Sequence, residues 1–462
     1  MPDYDVIIIG AGLSGLAAGI RLAHFGQRVR IFERHFLPGG LNSYFPSGRE
    51  SMDVGLHALT NLAPEQDRSA PLNKLLRQLR LSRSELQLQA QNFSLLEFPG
   101  CTLRITNDFH DFEQEIARAF PQQQGGFQAL LCRIRNTDFL SPEAPLQSTR
   151  AVLAEYLTDG LLREMLLCPV MFYGNAQSQD MDFNQFCVIF TSIFLEGLGR
   201  PRDGMQPFLN ALLRRFQDCG GELTLGNGIA KIIHCDGRVS AVIDDRGGRH
   251  SAGAVISSIG SRETASCCQE PPPEFSRAAA GQLSFTETIF RLKCHPRDLG
   301  LQPSIIFRNR SSDFRFAVPA EPVDYNSQIF CLPGNFQGCD GIPAARQIRL
   351  THLANPQFWL QASADAYRQA KEAVISAQRQ ILDQLRPGCS EQVTHAEMFT
   401  PRTVLRYTGH LNGAIYGSPD KVRSGRCSCP NLFLCGTDQG FLGIVGALLS
   451  GTAIVNRHLL LG

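Results

Sequence analysis

The chain has 462 residues, carries 44 lysines and arginines against 43 aspartates and glutamates, and is 43% hydrophobic. A net charge of +1 gives nucleic acid nothing to hold, and the apolar share is that of a globular, water-soluble protein too long for one ordinary domain. Fifteen cysteines without a repeated spacing or a CxxC pair exclude a zinc module and a structural metal, and point to reduced thiols in a cytoplasmic protein.

Tyr4-Asp5-Val6-Ile7-Ile8-Ile9 is a β-branched run suited to a fully buried parallel strand. Gly10-Ala11-Gly12-Leu13-Ser14-Gly15 follows at once, residues 16–23 continue at helical spacing, and a second strand over 28–32 ends at Glu33. Strand, tight turn, helix, strand and acid is the order that a dinucleotide requires. Gly10 permits the sharp exit from the strand, Gly12 lets backbone approach a pyrophosphate, and Gly15 lets the helix lie close to the sheet. The helix N-terminus offers unpaired N–H groups to that phosphate. Glu33 accepts ribose hydroxyls and would repel a 2′-phosphate, so an NADP-type ligand is disfavoured.

Residues 34–57 bring Arg34, the pair Gly39-Gly40 before Leu41 and Asn42, and then Asp53-Val54-Gly55-Leu56-His57. A plain NAD dehydrogenase has no use for two more close backbone approaches directly after its ribose acid. The stretch resembles the extended fingerprint of the two-domain FAD proteins. That group includes amine oxidases, phytoene desaturases, carotenoid isomerases, retinol saturases and the Rab GDP-dissociation inhibitors.

Helical patterns are expected over 72–88, 108–120, 127–135 and 151–167, with a hairpin over 95–105 turned at Pro99-Gly100. Residues 183–198 then place Phe183, Phe186, Ile189, Phe190, Ile193, Phe194 and Leu198 on largely one side. Core packing is the plainer reading of that stripe; a lining for a long apolar substrate, or a face resting on lipid, is the sharper one. A helix opened by Gly204, a short strand at 222–225 and a meander over 230–258 return to nucleotide-domain character. In the FAD proteins just named, the segment near Ile229 lies against the adenine. Antiparallel strands are expected at 285–292, half-buried, and at 304–307, 328–332 and 347–353, before a helix over 356–385.

A last strand over 432–438 delivers Asp438 at its carboxyl end, and Gly443-Ile444-Val445-Gly446-Ala447 opens the final helix. Glycines there allow a flavin edge to approach backbone N–H groups, Asp438 can hold a ribityl hydroxyl, and the helix N-terminus near Val445 favours negative charge on a reduced ring. Residues 186–195 are too short to span a membrane, and 432–455 is interrupted by Asp438, Gln439 and glycines, so neither is expected to cross one. The first strand begins within four residues, leaving no room for a cleavable signal. The expected location is cytoplasmic, with peripheral membrane contact left open.

The stretches Gly40 to Phe45 and Met52 to His57 look like the matching parts of retinol saturases and carotenoid-isomerase-like proteins. So do Pro401…Tyr407…Tyr416-Gly417 and Gly436-Thr437-Asp438…Gly443…Gly446-Ala447…Ser450-Gly451. The resemblance covers both ends well and 200–260 moderately, and hardly constrains 65–200 or 265–395. Leu41 departs from the basic residue that many carotene desaturases carry after the glycine pair.

The resemblance implies an α/β fold with a discontinuous Rossmann-type FAD-binding domain, a central parallel sheet plus a small β-meander, from 1–65, 200–262 and 400–462. A discontinuous α+β substrate domain is expected from 66–199 and 263–399. Against FAD it places Gly10, Gly12, Leu13, Ser14, Gly15, Glu33, Arg34, Gly39, Gly40, Leu41, Asn42, Gly55, Leu56, His57 and Ile229, then Gly436, Asp438, Gly443, Ile444, Val445 and Ala447. It implies redox or isomerase chemistry on carbon–carbon double bonds of an apolar, often isoprenoid, substrate. His57 is the expected proton shuttle, Arg406 offsets charge, and Tyr407 and Tyr416 stand near the ring. No second GxGxxG serves a pyridine nucleotide, so electrons are expected to pass to oxygen, a quinone or a protein carrier, or to return to the product. A flavin amine oxidase and a cofactor-free prenyl-binding escort are the alternatives.

Overall fold

The computed structural model describes residues 2–48, 50–55, 57–138 and 144–460. The first of two seven-stranded sheets begins with strand Tyr4–Ile9, parallel to Val29–Phe32 on one side and to Arg249–Ser257 on the other. Glu222–Thr224 extends the sheet beyond Val29–Phe32, and Leu432–Leu434 runs parallel to Arg249–Ser257. Ile7 and Ile8 are fully buried, as an all-apolar run covered on both faces must be, each contributing about 1.5–3 kcal/mol.

Arg249–Ser257 is one strand with two kinds of neighbour. Arg249 to Ser251 pair antiparallel with Ala241 to Ile243, and from Ala252 onward the same strand runs parallel to Tyr4–Ile9. The meander of Ile229–Cys235 and Arg238–Asp244 is thereby continuous with the nucleotide-type sheet rather than a separate layer.

Helices Leu13–His24, Met205–Asp218 and Gly443–Val455 share one apolar core with the first sheet. Gly451 makes this packing feasible, because a Cβ there would lie 2.0 Å from the Ser14 carbonyl oxygen. Residues 443–460 are long and apolar enough to cross a membrane by length and composition. In the fold Ile444, Val445, Leu448, Ile454 and Val455 are buried in that core.

The second sheet runs Val393–Phe399, Ser284–Leu292, Gln347–Ala354, Ser327–Cys331, Ile305–Asn309, Ser94–Phe98 and Cys101–Ile105. Every pairing in it is antiparallel except Ile305–Asn309 beside Ser94–Phe98. Even-numbered Phe290, Leu292, Ile348, Leu350, Ile306 and Phe330 pack with Ile381 and Leu382 of helix Ala364–Leu385. In these four strands the odd-numbered residues face the other way, as the two-residue period demands.

Several expectations change. Strand Ser284–Leu292 is buried on both faces rather than half-buried, with only Phe285 and Arg291 partly exposed, because it lies inside the sheet under that helix. The helix expected over 356–385 is two, Pro356–Gln361 and Ala364–Leu385, the second capped by the Ser363 hydroxyl. The helix expected over 151–167 is also two, Thr149–Tyr156 and Gly160–Gly174, the second capped by Asp159 and running through Pro169. Phe183, Phe186, Phe190, Ile193, Phe194 and Leu198 are all buried in the core of the second region, so the phenylalanine stripe is packing and not a lipid-facing surface.

Candidate active site

A cavity of about 1070 Å³ is lined from both sheets, at the upper end of the ~300–1,000 Å³ usual for small-molecule sites. Its first part is the turn between Tyr4–Ile9 and Leu13–His24, where Gly10, Gly12, Leu13 and Ser14 form the wall. A Cβ at Gly12 would meet nothing within 4 Å, so this backbone borders open space at a helix N-terminus. Gly15 lies beneath the turn instead, where a Cβ would sit 2.1 Å from the Gly10 carbonyl oxygen.

Glu33 lines the same part while its two carboxylate oxygens accept the Ala11 and His35 N–H groups, each at 2.8 Å. A carboxylate has lone pairs left after two such bonds. Two buried nitrogens of cavity-lining residues, His35 Nε2 and His410 Nδ1, have no hydrogen-bond partner. Open space beside a helix N-terminus, a part-used acid and orphaned nitrogens fit a polar, anionic dinucleotide such as FAD.

The structure gathers most of the expected residues round this one cavity. Arg34, Gly39, Gly40, Leu41, Asn42, Gly55, His57 and Ile229 line it, as do Gly436, Gly443, Ile444, Ala447, Tyr407 and Tyr416. Tyr407 is 43% exposed and meets His35 edge-on at 5.2 Å, at the rim. Leu56 lies outside the described residues.

Four others are placed elsewhere. Val445 points into the helix core and Gly15 under the turn. Arg406 is on the exposed face of helix Pro401–Thr408 and does not line the cavity. Asp438 is also off the cavity wall. One of its oxygens accepts the Ser261 N–H at 2.7 Å and hydroxyl at 2.8 Å, and the other accepts the Ser418 N–H at 2.8 Å. It ties the loops beneath Gly436.

The far part of the cavity is a line of cross-strand neighbours in the second sheet. Phe399 pairs with Glu287, Glu287 with Thr351, Thr351 with Ile329, and Ile329 with Phe307, and all five line the cavity. Five adjacent strands make this floor about 19 Å across at ~4.8 Å per strand. Phe172, Tyr173, Phe285 and Tyr416 add aromatic walls, with Phe172 and Phe285 stacked at 5.6 Å.

The polar centre of the floor is a closed network. Glu287 accepts from His57 Nε2 at 2.6 Å and from the Thr351 hydroxyl at 3.1 Å, and pairs with the fully buried Arg349. Arg349 also donates to the Asp53 and Val54 carbonyls at 3.0 and 2.8 Å, and Asp53 pairs with buried Arg200 at 3.1 Å. Burial pushes Glu287 up, but Arg349 and His57 outweigh it and hold the carboxyl down at about 2. His57 was expected from its place after Gly55. Glu287, Thr351, Arg349 and Arg200 were not, and the available signal was a charge inside two otherwise strand-forming runs, Phe285 to Leu292 and Gln347 to Leu353.

Residues 13–326 match the family model described as flavin containing amine oxidoreductase. A prolycopene isomerase from an Oncidium hybrid cultivar is 20% identical, over 98% of this chain and 84% of that one. An all-trans-retinol 13,14-reductase from Danio rerio is 22% identical, over 99% and 87%. Among solved structures, an oxidoreductase from Methanosarcina mazei superposes with a TM-score of 0.69 at 16% identity, over 98% of this chain and 100% of that one. With the family model covering more than half of its length, the chain belongs to the flavin containing amine oxidoreductases and is an FAD-dependent oxidoreductase.

Proposed function

We propose that the protein acts on carbon–carbon double bonds of an apolar polyene or isoprenoid, by desaturation, saturation or cis/trans isomerisation. The observation that carries this reading is the long, largely apolar and aromatic floor joined to the glycine turns in one cavity. The polyene-acting names of the relatives support it. The part of the chain around the first sheet is then the cofactor-binding half, and the part around the second sheet the substrate-binding half.

When bound, FAD supplies hydride transfer, which no side chain of this protein can provide. Gly12, Leu13 and Ser14 would hold the pyrophosphate at the helix N-terminus, Glu33 the ribose, and Ile229 the adenine. Gly39 to Asn42, Gly55, Gly436, Gly443, Ile444 and Ala447 would border the ring. His57 stands where this border meets the floor and exchanges the proton that accompanies the change at carbon. In this reading electrons go to oxygen, a quinone or a protein carrier, or return to the product, and the protein meets the lipid that stores its substrate only peripherally.

The test is anaerobic mixing of the yellow protein with polyene alcohols and cis and trans carotenes, following flavin and polyene absorbance together. Bleaching of the flavin or a shifted polyene spectrum supports the reading. Peroxide release from a panel of primary amines, with no polyene change, overturns it in favour of amine oxidation.

A further inference from the structure

His57 has two ring nitrogens, and the structure treats them unequally. Nε2 lies 2.6 Å from Glu287 and 3.0 Å from the Thr351 hydroxyl. Among the described residues Nδ1 has no hydrogen-bond partner, while the residue lines the cavity. An ionised carboxylate is an acceptor only, so the nitrogen facing it must carry the hydrogen. The Thr351 hydroxyl gives its own hydrogen to the same Glu287 oxygen, at 3.1 Å, and so can only accept from Nε2.

Behind Glu287 stands Arg349, whose guanidinium is anchored on the Asp53 and Val54 carbonyls, four and three residues before His57. The charged and titratable groups around the ring are Glu287 on one strand, Arg349 on the next, the Cys331 thiol donating to the His57 carbonyl at 3.4 Å, and the Asp53–Arg200 pair. Of the charged groups among the described residues, only Glu287 reaches the imidazole itself.

We propose that Glu287, with Thr351 beside it and Arg349 behind it, is a positioning residue that fixes His57 as the Nε2–H tautomer and leaves Nδ1 as the nitrogen that exchanges protons in the cavity. This rests on the proton role given to His57 above. It adds which nitrogen acts, and it makes the second sheet, not the flavin-side loop, the part that selects that nitrogen.

The experiment is ¹⁵N NMR of the FAD-loaded protein labelled at histidine, with the His57 signals identified by their loss in His57→Gln. The neutral ring is expected as the Nε2–H form. In Glu287→Gln, whose amide can give as well as accept a hydrogen, the preference is expected to fall to a mixture of the Nε2–H and Nδ1–H forms. Because Glu287→Gln leaves Arg349 buried without its partner, the double variant E287Q/R349M, which removes both charges, is measured as well and should show the same mixture. Turnover is expected to fall with the share of the Nε2–H form.

An Nδ1–H ring in the parent, a tautomer unchanged in both variants, or turnover unmoved while the tautomer changes, each overturns the inference. The tautomer needs no substrate. A protein that gives the expected signals but changes no polyene refutes the substrate reading and leaves the positioning role standing.

Discussion

At Gly12 the cavity wall is bare backbone with no atom near the missing Cβ, whereas at Glu287 it is a carboxylate held by His57, Thr351 and Arg349. The first wall is made by residues within a few positions of one another. The second is made by two strands and a loop, whose sequence positions are scattered from 57 to 351. A wall of backbone tolerates change outside its few close contacts, while a wall of paired charges is sensitive to each partner.

The largest effect that sharpens this contrast is expected at Arg349. Arg349→Met strands Glu287 without its cation in a buried site, and should cost about 3–5 kcal/mol in denaturant unfolding. A loss below 1 kcal/mol would show that the network is ornamental to the fold.

Next comes acid. His352, on the opposite face of the same strand from Thr351, is fully buried and pushed down by burial from 6.5 to about 4. The unfolded chain therefore takes up that proton first, and stability falls as pH drops from 6.5 towards 4, by roughly 3 kcal/mol in all. Glu287 adds a second loss as pH falls from 4.5 towards 2, since the folded carboxyl resists protonation longer than the unfolded one. Equilibrium unfolding across this range should show the first step, and His352→Asn should remove it.

At the glycine turn the contrast is between neighbours. Gly15→Ala forces a methyl onto the Gly10 carbonyl, costing about 1–3 kcal/mol and most of the bound FAD. Gly12→Ala meets no protein atom and should keep the unfolding midpoint while weakening FAD, read as flavin lost on gel filtration. The smallest change is expected from Arg406→Ala, because that side chain is outside the cavity. Turnover within about twofold of the parent is expected for such a surface site.

The same division governs what the sequence discloses. The turn was legible because strand, glycines, helix and Glu33 follow one another within thirty residues and each has a local reason. The acidity of Asp438 is legible, but its partners at Ser261 and Ser418 are not, because the loop at Ser261 is far away in the chain. The floor was not legible at all. Glu287, Thr351, Ile329 and Phe307 become neighbours only through cross-strand register, and a slip of one residue would have turned all of them to the helix side. The phenylalanine stripe at 183–198 shows the converse, a conspicuous pattern that ends in ordinary packing.

The contact of Gly451 with Ser14 carries a consequence for distant substitutions. A side chain at residue 451 would wedge the last helix away from the first, because even a methyl there meets the Ser14 carbonyl oxygen at 2.0 Å. The glycine turn is thereby vulnerable to a change more than four hundred positions further along the chain.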